Sequence, residues 1–137
     1  MGMTAKVEYK ENLRTECVHL KSNTQIETDA PTDNNGNGAR FSPTDLVATA
    51  FASCMLTIMG IAVRERGINI EGTICEVEKV MDSNPRRISQ IKVKMILPKT
   101  ETYSDKEKVI LEKAALTCPV HYSLHPDIKK NVEFVYA

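Results

Sequence analysis

From Leu46 to Val63 nearly every position is apolar or small, and Thr49, Ser53, Thr57 and Gly60 interrupt the run without building a wide polar face. Both ends are marked. Ser42 suits an N-cap, Pro43 the first helical position and Asp45 the third residue of a capping box, while Gly67 offers a left-handed stop. The pattern predicts a helix over 43–66 running through the centre of the fold. About 18 uncharged residues approach the length of a membrane span. The small and polar residues dilute that run, and nothing else in the chain reads as membranous, so no membrane partner is expected.

Around this helix the periodicity changes. Residues 4–29 alternate, with Val7, Tyr9, Thr15, Cys17 and His19 against Val18 and Leu20, which predicts two or three antiparallel strands with turns near Glu11-Asn12 and Ser22-Asn23. Ala30 to Ala39 is turn chemistry without a core residue, expected to be a mobile flap ending in Arg40-Phe41. Ile68 to Met81 reads as a strand, Ser83-Asn84-Pro85 as a turn, and Ile88 to Leu97 as a second strand whose Ile91, Val93, Met95 and Leu97 face the core. Ser104-Asp105-Lys106-Glu107 is a second capping box, opening a helix through Leu116 with Ile110, Leu111, Ala114 and Ala115 on its buried side. A helical turn to about Leu124, a break at His125-Pro126-Asp127 and a strand from Val132 to Tyr136 close the chain. Hairpins standing between the helices predict an α+β fold with antiparallel sheets around a long buried central helix, not a doubly wound parallel sheet. One small sheet hardly covers so apolar a helix, which favours a homodimer sharing its core.

Composition narrows the partners. At 137 residues the chain suits one domain, 1–137, able to bury a core unaided. Lys plus Arg equals Asp plus Glu at 18 each, leaving no basic surplus for nucleic acid. The four cysteines are irregularly spaced and no secretory signal or lipid-anchor motif is read at the start, so free thiols in a reducing cytoplasm are expected. Cys17 and Cys75 read as packed small residues, and Cys54, in the middle of the apolar helix, reads so at first sight too. Cys118 is different: it precedes Pro119 at a helix start, where unpaired N–H groups and the dipole favour a thiolate.

Ser42-Pro43-Thr44-Asp45-Leu46, the small-residue run Ala48 to Ser53, Cys54, and then Cys118-Pro119-Val120 together resemble the OsmC/Ohr family of osmotically inducible and organic hydroperoxide resistance proteins. The resemblance covers most of the chain. It implies an intertwined homodimer and cysteine-based reduction of peroxides, with Cys54 as the attacking thiol and Cys118 as the resolving one. That chemistry needs a thiolate, a donor that stabilises it and the departing alkoxide, and a second thiol to trap the sulfenic acid. Cys54 lies roughly 15 Å along the helix from its N-terminus, too far for the dipole to act. A guanidinium must serve. The candidates are Arg14, in the strand region where the hydroperoxide-resistance branch carries its arginine, and Arg40, in the pre-helix loop where the osmotically inducible branch carries one; Arg40 is preferred for its position.

Phe51, Met55 and Ile58, one helical turn from Cys54, with Thr44 and His121, make an expected pocket suited to an organic hydroperoxide. A dithiol or lipoyl-type reductant is the implied second substrate, and neither a cofactor nor a metal is expected. One position departs from the family pattern. Where the hydroperoxide-resistance branch places a glutamate that holds the arginine, this chain has Thr44. Two other readings stay open: a non-enzymatic dimer that binds a small hydrophobic ligand or senses oxidation, and a zinc site built on Cys118, His121 and His125.

Overall fold

The computed structural model describes residues 2–137. The order is β1 (Ala5–Tyr9), β2 (Arg14–His19), β3 (Gln25–Asp29), a 3-10 turn (Thr32–Asn34), α1 (Pro43–Val63), β4 (Ile74–Ser83), β5 (Arg86–Ile96), α2 (Asp105–Ala115), α3 (Pro119–Ser123) and β6 (Lys129–Val135). The class is α+β, with two three-stranded sheets. The chain divides into two compact units, Met1–Val47 and Ala48–Ala137, and α1 crosses from one into the other.

In the first unit β1, β2 and β3 form an antiparallel meander. Its turns fall where expected, at Asn12 (φ 54°) and Asn23 (φ 61°), because asparagine tolerates the left-handed region. The register sets Val7 beside Cys17 and Cys17 beside Ile26, so these three share one face. Val7 and Ile26 remain 64% and 48% exposed. The other face carries Glu8, Glu16 and Glu27 in a row and Arg14 opposite Asp29.

The segment after β3, largely exposed, is shaped by its own backbone hydrogen bonds. The amides of Asn34 and Gly36 both donate to the Pro31 carbonyl, that of Gly38 to the Ala30 carbonyl, and that of Ala39 to Asp29 Oδ2. Gly36 is required there, since a Cβ would stand 1.8 Å from the Ala30 carbonyl oxygen. The start of α1 follows as anticipated: Ser42 N donates to Asp45 Oδ2 (2.9 Å) and Asp45 N to Ser42 Oγ (3.1 Å), a capping box closed by aspartate.

The second unit holds the apolar core. Phe51, Met55 and Met59 of α1, Ile91 and Met95 of β5, and Leu111 of α2 have no solvent exposure. Each such side chain contributes about 1.5–3 kcal/mol through burial. The regular helix ends at Val63 rather than 66, and the chain then turns to Gly67 at φ 70°. Within one chain α1 is buried on one side, while Ile61 on the other is 57% exposed. By length and composition α1 is apolar enough to cross a membrane, a test that core helices of soluble proteins also pass.

The strand expected from Ile68 begins only at Ile74. Asn69 Oδ1 accepts from the Glu71 amide, Gly72 sits at φ 89° and Thr73 Oγ1 donates to the Ile70 carbonyl, so 68–73 is spent on turns. β4 and β5 make a long antiparallel hairpin with a bulge between Val80 and Met81. β6 pairs with β5 in parallel, starting at Lys129 rather than 132, which makes this sheet mixed where antiparallel pairing was expected. The reason is the crossover: α2 and α3 carry the chain back before β6 is laid down, as a parallel pairing demands. α2 starts on the predicted box, with Ser104 Oγ accepting from Glu107 N and Glu107 Oε1 accepting from Ser104 N.

Candidate active site

Two thiols meet in the second unit. Cys54 is half-buried in the middle of α1, one turn from Phe51 and beside Met55. Cys118 is fully buried at the junction of α2 and α3, where the helix cannot continue because Pro119 follows. Thr117 closes the end of α2 by donating to the Lys113 and Ala114 carbonyls. Cys118 then takes extended backbone angles and acts as the N-cap of α3, its Sγ accepting from the His121 amide at 3.3 Å.

The Cys118 thiol lies above its ordinary value. Burial is the main cause; the amides of His121 and Val120 oppose it, and a hydrogen bond with Cys54 and the Cys54 charge add to it. Burial thus favours the protonated Cys118 thiol, with Cys54 close enough to add to the effect. This corrects the reading of Cys118 as a thiol primed toward thiolate by its helix start: a five-residue helix with two amides does not offset complete burial. All four cysteines are free. Cys75 is set apart chemically, pushed by burial to about 11.

His121 ties the pair to the core. Its ring stands 6.0 Å from the Phe51 ring and 5.6 Å from that of Tyr122. Its Nδ1 is shielded from solvent without a hydrogen-bond partner among the described residues. Burial, and then the Lys130 charge, hold the imidazole below its ordinary value and so neutral at pH 7. Of the other expected pocket residues, Phe51 and Met55 are closed to solvent, Ile58 is half-buried in contact with the core, and Thr44 sits in the capping turn with its Oγ1 3.3 Å from Ser42 Oγ. His125 is exposed, and its Nδ1 accepts from the Asp127 amide at 3.0 Å. Among the described residues no group of three His, Cys, Asp or Glu side chains is placed to hold a metal ion, so the set Cys118, His121 and His125 is not assembled.

The two candidate arginines belong to the first unit and differ sharply in environment. Arg14 makes a two-pronged ion pair with Asp29, Nε to Oδ1 at 2.8 Å and Nη2 to Oδ2 at 2.9 Å, and the Asp29 side chain is 1% exposed. The Arg14 hydrogen bond holds the Asp29 carboxyl below its ordinary value against the desolvation that opposes it. Arg40, 47% exposed, pairs with the Glu27 carboxylate at 3.0 Å. Asp29 was missed in the sequence: it stands in a strand far from Arg14 along the chain, and only the β2–β3 register brings them opposite each other. It supplies a buried carboxylate to a guanidinium in a chain that lacks one at position 44.

An α+β chain of two three-stranded sheets, with one thiol inside a long apolar helix and a second capping a short one, has the OsmC-like fold. The chain belongs to the family of OsmC-like proteins, which matches it over residues 36–133. Among solved structures it is similar to a provisionally named osmotic stress induced and detoxification response protein from Psychrobacter arcticus 273-4, at 50% identity and TM-score 0.92, with 98% of this chain and 97% of that one covered. An OsmC-like protein from Mycoplasma pneumoniae superposes with TM-score 0.78 at 19% identity, covering 97% and 95%. The organic hydroperoxide resistance protein OsmC from Legionella pneumophila does so with TM-score 0.74 at 15% identity, covering 96% and 94%. At those lower identities the likeness is one of fold. No curated protein matches the chain.

Proposed function

We propose that this protein acts in oxidative-stress defence as a thiol peroxidase that reduces organic hydroperoxides. The observation that carries the reading is the nearness of the two thiols, Cys118 lying buried at the start of α3 and Cys54 close enough to act on it. Cys54, as thiolate, attacks the terminal oxygen of the hydroperoxide; the O–O bond breaks, the alkoxide leaves as alcohol and Cys54 becomes a sulfenic acid. Cys118 then displaces the hydroxyl from that sulfur, forming a disulfide and water. A dithiol of small or lipoyl type returns both thiols by exchange. The apolar surroundings of Cys54 favour an organic substrate over hydrogen peroxide. Arg14 or Arg40 is the guanidinium that stabilises the thiolate, and the rigid Asp29 pairing gives Arg14 the better-defined geometry.

The acting species in this reading is a cytoplasmic homodimer, supported by apolar faces that a single chain leaves open, at Val7, Tyr9 and Ile26 of the first sheet and at Ile61 of α1. The complete burial of Cys118 favours one other reading, a sensor that oxidises once per thiol pair. Continuous consumption of cumene hydroperoxide with excess dithiol separates the two: many turnovers per subunit are expected, and a single turnover would select the sensor. A Cys54→Ser variant reducing the hydroperoxide as fast as the parent would end the peroxidase reading.

A further inference from the structure

The burial of Cys118 raises a question for the step that follows disulfide closure. A dithiol has to reach one of the two joined sulfurs, and exchange depends on which sulfur is attacked, on access to it and on the thiol that leaves. The two positions are unequal. Cys118 has no solvent exposure and sits at the α2–α3 junction in one core cluster with Ala114 and Ala115. The His121 amide donates to its Sγ at 3.3 Å, and the His121 ring stands 6.0 Å from that of Phe51, which sets α3 against α1 one turn before Cys54. Cys54 is only half-buried and packs against the border of the same cluster. Association with a second chain removes surface rather than adding it, so Cys118 stays closed in a dimer, whereas the hydroperoxide must in any case find its way to Cys54. Burial works against Cys118 as a departing thiolate, and the capping amide, a donor aimed at that sulfur, works for it. Access decides: a poor leaving thiol only slows exchange, but a sulfur without exposure is not attacked until the junction opens.

Resting on the peroxidase reading above, we infer that the reductant attacks the disulfide at Cys54, with Cys118 as the leaving thiol, so that hydroperoxide and dithiol are served by the same sulfur. One thiolate of the dithiol bonds to Cys54 Sγ and forms a mixed disulfide. The Cys54–Cys118 bond breaks, its electron pair stays on Cys118, and Cys118 takes up a proton in place of the one the attacking thiol gave to solvent. The second thiol of the dithiol, as thiolate, then attacks the sulfur bound to Cys54; Cys54 leaves as thiolate and the dithiol closes into a cyclic disulfide. The dithiol is oxidised by two electrons and the protein pair is reduced by two. Cys118 bonds to no sulfur but that of Cys54, and its burial is no obstacle to turnover.

The test uses the full chain, oxidised with diamide to the Cys54–Cys118 disulfide so that its preparation does not depend on a hydroperoxide. N-acetylcysteine, a monothiol that cannot close a ring, is added at about pH 7.5, acid stops the reaction at successive times, and peptide mass locates the first mixed disulfide. The adduct is expected on Cys54, in about tenfold or greater excess over Cys118 at the earliest times; in urea, where burial is lost, the two should come within about threefold of each other. An adduct mainly on Cys118, or an even split in the folded protein, overturns the inference while leaving the peroxidase reading intact, and a bias that survives in urea overturns burial as its cause. A disulfide formed by diamide but not by cumene hydroperoxide removes the peroxidase reading, and the same trap still decides which sulfur is attacked. Thiols that neither reagent joins end both.

Discussion

Cys118 has two separable jobs, and replacing it two ways pulls them apart. As the N-cap of α3 its Sγ accepts the His121 amide, and as a fully buried group it fills the junction between α2 and α3. Alanine removes both. Losing the cap costs about 0.5 kcal/mol, at the low end for caps because sulfur is a weak acceptor, and losing the buried thiol costs about 0.8 kcal/mol, as for one methylene. Cys118→Ala should therefore be destabilised by about 1–2 kcal/mol. Serine restores a strong capping oxygen in the same place, with the His121 amide as its partner, so Cys118→Ser should stay within about 0.5–1 kcal/mol of the parent. Both variants lose the resolving thiol and should lose dithiol-driven turnover alike. Urea unfolding with unchanged slope gives the stabilities, and steady-state peroxide consumption gives the activity. A serine variant less stable than the alanine variant would refute the capping role; turnover at parental rate in either would refute the resolving one.

Other consequences are read more briefly. Leu111→Ala, which opens a cavity at a site with no exposure, should lower unfolding stability by about 2–5 kcal/mol in urea. Asp29→Asn should destabilise the protein at pH 7. The folded Asp29 carboxyl is depressed, so its contribution is complete above the unfolded value near 3.9 and fades as pH falls through the lower folded one; the difference in melting temperature between parent and variant should shrink as pH falls below that unfolded value. Cys75, raised to about 11, should resist iodoacetamide at pH 7.5 in the native protein and react once unfolded; rapid native labelling at Cys75, read by peptide mass, would contradict its burial.

How much of this could be read in the chain follows from where the information lies. Local chemistry was legible: Ser42 with Asp45 and Ser104 with Glu107 close the boxes their spacing announced, and Asn12 and Asn23 turn where they should. The alternation of Ile91, Val93 and Met95 identified the core face of β5 correctly. Features that depend on partners distant in sequence were not legible. Nothing in Val132 to Val135 distinguishes parallel from antiparallel pairing, because the choice is made by the crossover through α2 and α3. The Arg14–Asp29 pair exists through strand register alone. The state of Cys118 was misjudged because a helix start is visible in sequence, whereas the depth of burial that overrides it is a property of the packed core.

The central claim is that Cys54 and Cys118 act as one redox pair, and non-reducing peptide mapping after one equivalent of an organic hydroperoxide tests it most directly. The account predicts a Cys54–Cys118 disulfide within each subunit, reversed by a dithiol, with Cys17 and Cys75 left as thiols. Unmodified Cys54 and Cys118, or a disulfide joining other cysteines, would contradict it.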